Sequence, residues 1–199
     1  MAAKQVPEIL TRETVARSRL FRIEAVDLRF SNGVERQFER MQGSGRGAVM
    51  IVPVTANHEL ILIREYAAGL HNYQLGFPKG LIDPGENPSQ AAQRELKEEI
   101  GFGAKQLASL KSMTMAPQFF AGSMQIFVAF DLYPEQLLGD EPEPLEQVLW
   151  PLADADALLA REDFTEARSI AALLLLLKNG IESLQAAAKP ISADGNNSV

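Results

Sequence analysis

A helix with both of its ends written into the sequence constrains this chain more than any other stretch. Asn87 can accept a bond from the first turn, Pro88 suits the first helical position, and Gln90, three residues after Asn87, completes a capping box. Ala92, Leu96 and Ile100 recur at the helical period and make one apolar stripe. Gly101 follows, placed to end the helix in the left-handed conformation. The spacing therefore predicts a helix that lays one face on a core. Within it, Arg94-Glu95-Leu96-Lys97-Glu98-Glu99 sets three carboxylates into one narrow sector. At 100° per residue, Glu98 and Glu99 lie about 60° to one side and about 40° to the other of Glu95. Like charges so placed cost roughly 0.2–0.5 kcal/mol per pair. The sector borders the apolar stripe, so it faces a loop or cleft, and something of opposite charge must reward it.

Strand patterns surround this helix. From Leu20 to Met41 apolar and polar residues alternate about Ser31-Asn32-Gly33, the Asn-Gly signal of a tight hairpin. After Gly43 to Gly47 come two apolar runs, Ala48 to Val54 and Glu59 to Ile63, parted by Ala56-Asn57-His58 and expected to be strands of a more buried sheet. Beyond the helix, strands are expected at Leu107 to Met115, Gln125 to Leu132 and Gln147 to Trp150. An acidic loop, Gly139 to Glu146, precedes the last of them. Helices are expected near Leu152 to Arg161 and Thr165 to Lys178. The residues from Ala186 onward are small and polar and are expected to form a disordered tail. The organisation expected is a strand extension over 1–44, one domain over 45–185 and a tail over 186–199.

Composition narrows the chemistry. The chain of 199 residues, 46% apolar and 23% charged, is long enough for one well-filled core. It has no cysteine, which excludes disulfides, thiolate catalysis and Cys-ligated zinc, and only two isolated histidines, His58 and His71. A net charge of −7 argues against a nucleic-acid binder and favours metal cations as partners of the acidic clusters. The longest apolar run, Ile170 to Leu177, is far short of the ~20 residues that cross a bilayer, so no membrane association is expected. The first residues lack the apolar core of a signal peptide, and a cytoplasmic location is the expectation.

Widening the window shows what rewards the carboxylates. Gly80, five residues, Glu86, seven residues, then Arg94-Glu95-Leu96-Lys97-Glu98-Glu99-Ile100-Gly101-Phe102 matches the pattern G-x5-E-x7-R-E-U-x-E-E-x-G-U, with U apolar, at every specified position. This resembles the Nudix box of the Nudix hydrolase superfamily. The resemblance implies an α/β fold, an α/β/α sandwich with a mixed sheet, here with an N-terminal antiparallel strand extension. It also implies a metal-dependent hydrolase of nucleoside diphosphates linked to another moiety. Mg²⁺ or Mn²⁺ would be held by Glu95 and Glu99, with Glu98 alongside and the backbone carbonyl of Lys79 or Gly80 completing the cage. Hard divalent cations take such oxygen ligands. Arg94 would orient the carboxylates, and Glu86 would support them. A carboxylate outside the box is expected to act as general base: Glu143 first, then Glu141, then Glu146, all in the acidic loop.

Pro117 stands fifteen residues beyond Phe102, as in the ADP-ribose pyrophosphatases of this superfamily, and the N-terminal hairpin looks like their dimer-forming extension. That likeness implies a homodimer acting on a small nucleotide substrate, with Arg36 and Arg64 as candidate substrate-binding residues beside Pro117. More narrowly, ETVARSRLF, REYAAG, GFPKGLIDPGE and GDEPEPL resemble bacterial Nudix enzymes that cleave ADP-ribose, NADH and diadenosine polyphosphates. Two other readings stand beside this one. One is a Nudix hydrolase for a different nucleoside diphosphate derivative. The other is a non-catalytic module that binds ADP-ribose, which would be expected to lose box carboxylates that are all present here.

Overall fold

The computed structural model describes residues 4–43 and 45–191. They fall into two compact units, one of residues up to 47 together with 114–123, the other of residues 48–113 together with those from 124 onward. In the first unit β1 (Glu8–Arg17), β2 (Arg22–Arg29) and β3 (Glu35–Met41) form an antiparallel sheet in that order. The hairpin lies where Asn32-Gly33 puts it: Gly33 has a φ of 82°, and Phe30 N–H donates to Val34 O at 2.9 Å. β1 was not expected. It is exposed along nearly its whole length, so no alternation marks it, and pairing with β2 makes it a strand. The segment 114–123 joins this unit through Met41, whose N–H donates to Phe119 O at 2.7 Å and whose carbonyl accepts from Ala121 N–H at 3.2 Å. A boundary at residue 44 omits that segment.

The second unit contains β4 (Ala48–Pro53), β5 (Glu59–Ala67), β6 (Asn72–Gly76), β7 (Lys79–Leu81), α1 (Pro88–Glu99), all but the last two residues of β8 (Phe102–Met115), all but the first two of β9 (Gly122–Pro134), β10 (Glu146–Pro151), α2 (Ala155–Leu159), α3 (Ala167–Asn179), α4 (Ile181–Ala187) and β11 (Lys189–Pro190). One sheet, in the order β11-β8-β9-β4-β7, is mixed: β4 runs parallel to β9 and antiparallel to β7. The other, β10-β5-β6, is antiparallel. β4 is buried at every position, as its unbroken apolar run requires of a strand covered on both faces. α1 packs on β4 and β7, burying Ala91, Ala92 and Leu96 among Val49, Ile51, Ile63 and Phe127. α3 buries Ala172, Leu173 and Leu176 and closes on β6 through Ser169, whose hydroxyl accepts from Phe77 N–H at 3.2 Å. The result is the α/β/α layering with a mixed sheet.

The strands expected at 59–63, 107–115 and 125–132 are longer, Glu59–Ala67, Phe102–Met115 and Gly122–Pro134, and the helices and tail differ from expectation in three places. The helix expected over 152–161 is a 3-10 turn, Leu152–Asp154, followed by the short α2. α3 begins two residues late because Glu166 caps it, accepting from Ser169 N–H at 2.8 Å. The tail expected from Ala186 is ordered structure as far as Ile191. α4 runs on to Ala187, Lys189 and Pro190 pair with Leu107 and Gln106, and Ile191 N–H donates to Lys105 O at 3.1 Å. Residues 192–199 of that expected tail lie outside the described residues. Among the described residues no single helix is long and apolar enough to cross a bilayer, and the apolar pair α3 and α4 bends by 89°.

Candidate active site

The capped helix is built as its sequence dictates. Asn87 Oδ1 accepts from Gln90 N–H at 3.0 Å, Gln90 Oε1 accepts from Asn87 N–H at 2.8 Å, and Gly101 leaves the helix with a φ of 72°. Its acidic edge meets β7. Gly80 passes so close to Glu95 that a Cβ there would overlap the carboxylate, so the close approach itself demands glycine. Arg94 holds the cluster together. Its guanidinium donates to both Glu86 oxygens at 2.9 and 3.1 Å, to Glu95 at 2.7 Å, to Glu98 at 2.8 Å and to the Leu81 carbonyl at 2.8 Å. The bonds to Arg94 push Glu86 below the ordinary carboxylate range.

Glu95 and Glu99 are less well compensated. Glu95 is only 7% exposed, and burial raises its pKa even against the pull of Arg94, with Glu98 and Asp140 adding repulsion. Glu99 accepts from Lys79 N–H at 2.9 Å, yet burial first, then the charges of Glu95 and Glu65, push it up to about 8. The Lys79 ammonium opposes that rise, and it is itself bonded to Glu65 on β5.

Lys79, Gly80, Arg94, Glu95, Glu98 and Glu99 line a cleft of about 970 Å³ that the acidic loop also lines. Glu141 and Glu143 both face it, and Glu146 does not. Burial, then Glu65 and Asp140, raise Glu141 above the ordinary carboxylate range. Glu143 accepts a hydrogen bond from the Tyr73 hydroxyl, which raises the tyrosine's pKa. Glu146 lies on β10 rather than in the loop, paired with Arg64 at 3.2 Å, and Arg64 also holds Asp163 at 2.8 Å. Lys79, Gly80, Glu86, Arg94, Glu95, Glu98, Glu99, Glu141 and Glu143 are thus gathered in one place. Arg36 and Pro117 belong to the first unit, where Arg36 is exposed and donates to the Glu35 carbonyl at 2.7 Å.

A family model described as the NUDIX domain matches residues 45–173, more than half of the chain. The chain belongs to the Nudix family. A second model, the NudE-type Nudix hydrolase N-terminal domain, matches residues 7–40, the three-stranded sheet. The chain is 62% identical to the ADP compounds hydrolase NudE of Escherichia coli over 172 residues, covering 86% of this chain and 92% of that one. It is 28% identical to an ADP-ribose pyrophosphatase of Bacillus subtilis, covering 87% and 97%. A crystal structure of an ADP compounds hydrolase superposes with a TM-score of 0.85 at 60% identity, over 89% of this chain and 96% of that one. With the box intact, this is a Nudix hydrolase and an enzyme.

The Nudix box carboxylates suit a hard cation. Among the described residues no three acidic or histidine side chains are gathered as a finished metal cage, since Arg94 stands among Glu86, Glu95 and Glu98. The donors nonetheless fit: all are oxygen, and burial leaves the charge of Glu95 and Glu99 only partly compensated. Three residues of this Nudix site were not expected: Glu65, Tyr73 and Gln136, which bonds the end of α1. Glu65 alone left a local trace, standing beside Arg64 at the end of a buried apolar run.

Proposed function

We propose that the chain hydrolyses the pyrophosphate of ADP-linked compounds (ADP-ribose, NADH and diadenosine polyphosphates), releasing AMP and a phosphorylated product. Glu95, Glu99 and Glu98 would hold a divalent cation, Mg²⁺ or Mn²⁺, beside Lys79 and Gly80. The observation that carries this reading is the single cleft into which the box carboxylates and the loop carboxylates both open. The names of the relatives, an ADP compounds hydrolase and an ADP-ribose pyrophosphatase, support the substrate class.

Bound there, the cation supplies charge neutralisation for the pyrophosphate and a lowered pKa for an attacking water. The chain's own residues do the rest. Arg94 fixes the orientation of Glu95 and Glu98 through two bonds of 2.7 and 2.8 Å. Gly80 lets β7 pass against Glu95. The proton acceptor is a loop glutamate, because the box carboxylates are committed to the cation. Glu141 and Glu143 have the position for it, whereas Glu146 is committed to Arg64 outside the cleft. Glu141 has the raised basicity that a proton acceptor needs. A loss of about 10²–10⁴-fold in kcat is expected for Glu141→Gln or Glu143→Gln, the usual span of general-base catalysis, with kcat little changed in Glu146→Gln. Full activity in all three variants would place the base elsewhere.

The test of substrate class is to incubate the enzyme with ADP-ribose, NADH, diadenosine triphosphate and dATP, with Mg²⁺ or with EDTA, and to separate the products by chromatography. AMP from the first three, with Mg²⁺ only, is expected. Preferential turnover of dATP would replace the ADP class by another nucleotide.

A further inference from the structure

The last carbonyls of a helix have no partner within it. In α1 those of Lys97 and Glu98 are satisfied from a distant segment. Gln136 Nε2 lies 3.1 Å from Lys97 O, 3.2 Å from Glu98 O and 2.8 Å from Leu137 O, so its two hydrogens are shared among three carbonyls, and Leu137 N–H donates to Lys97 O at 3.1 Å. Beside them Glu135 N–H donates to Gly101 O at 3.0 Å, and the Glu135 carboxylate pairs with Lys97 at 2.9 Å. The segment 135–137 is therefore a strap across the end of the box helix. The side-chain oxygen of Gln136 lies against Gly101, where a Cβ would have to displace it.

What leaves the strap is the acidic loop. Gly139 lies over Glu98, where an added Cβ would stand 3.5 Å from the Glu98 Cβ, and Asp140, Glu141 and Glu143 follow along the cleft wall. The loop is held again at its far end, where Glu143 accepts from Tyr73 and Leu145 packs on the core. The separation between the loop carboxylates and those of α1 is thus set at one end by the strap, where the amide of Gln136 is the side chain that reaches the helix's last carbonyls beside the main-chain bonds of Glu135 and Leu137. One NH₂ group, with two hydrogens directed among neighbouring carbonyls, suits that task better than any hydroxyl.

We propose that Gln136 is a positioning residue for the hydrolysis, holding Glu141 and Glu143 in register with the box carboxylates by capping α1. The proposal rests on the reading of a loop glutamate as proton acceptor. A displacement of about 1 Å at a reacting group can cost a hundredfold in rate.

The test is a mutant cycle on kcat with ADP-ribose and Mg²⁺. Gln136→Met removes both donors, and Gln136→Asn keeps the amide but shortens its reach. Each is expected to lower kcat by roughly 10- to 100-fold while KM changes about twofold or less. In a chain carrying Glu141→Gln and Glu143→Gln, Gln136→Met is expected to lower kcat by less than about twofold, because there is no longer a base to misplace. A purely structural role would lower the melting temperature and leave the kinetic penalty the same in both backgrounds. The proposal is overturned by unchanged kcat in both Gln136 variants, or by a loss that persists undiminished in the loop-glutamine background. Full activity of the Glu141→Gln, Glu143→Gln chain would instead remove the general-base reading, and the role of Gln136 with it.

Discussion

At the residue scale, the site balances buried negative charge against two protein cations. Arg94 is bonded to Glu86, Glu95 and Glu98, and Lys79 to Glu65, with its backbone N–H on Glu99. Glu99 remains the least compensated, raised to about 8 chiefly by burial. A carboxyl whose folded pKa exceeds its unfolded value binds its proton more tightly when native. Its contribution is full below the unfolded value near 4.5 and is lost as pH rises through 8. In EDTA the melting temperature is therefore expected to fall between about pH 5 and about pH 9, and Mg²⁺ should restore it more at the alkaline end. Glu86 acts in the opposite sense, its stabilisation lost only as pH falls through its depressed value. Glu99→Gln should flatten the alkaline slope in EDTA and lower kcat by at least ~10²-fold, the scale of losing one electrostatic stabiliser, with the fold retained. A slope that survives the substitution would assign it to another group, and near-normal turnover would remove Glu99 from the metal site.

At the element scale, α1 organises the site, and its local signals explain why it was legible. Cap, stripe and terminating glycine all lie within one helix and its flanks, and the structure returns each of them. Asn87→Ala removes the cap and should cost about 1 kcal/mol, read as a lower urea midpoint at unchanged slope. No shift in midpoint would show that tertiary packing alone holds that end. Elements without local signals were missed. β1 alternates too weakly because it is exposed along nearly its whole length, and β11 is two residues that become a strand only by pairing with β8. The same holds for side chains. Spacing along the helix places Glu95, Glu98 and Glu99 together, but Tyr73 meets Glu143, and Gln136 meets Glu98, across long stretches of chain that no periodicity connects.

At the scale of the whole molecule, two properties remain as proposals. The three-stranded sheet of the first unit leaves Ile9, Val15 and Phe38 each more than 40% exposed. Apolar side chains left bare on a sheet suit a partner surface. A symmetric homodimer formed through it is expected, and light scattering at micromolar concentration should give twice the chain mass of 21.8 kDa. A monomer mass would refute it. The central claim is that the box carboxylates serve a cation-dependent cleavage of ADP-linked pyrophosphates. Its most direct test is the release of AMP from ADP-ribose, followed by chromatography with Mg²⁺ and with EDTA. Stoichiometric AMP and ribose 5-phosphate in Mg²⁺, with none in EDTA, is the expected result. ADP-ribose left intact in Mg²⁺, or cleaved equally well in EDTA, would contradict the account.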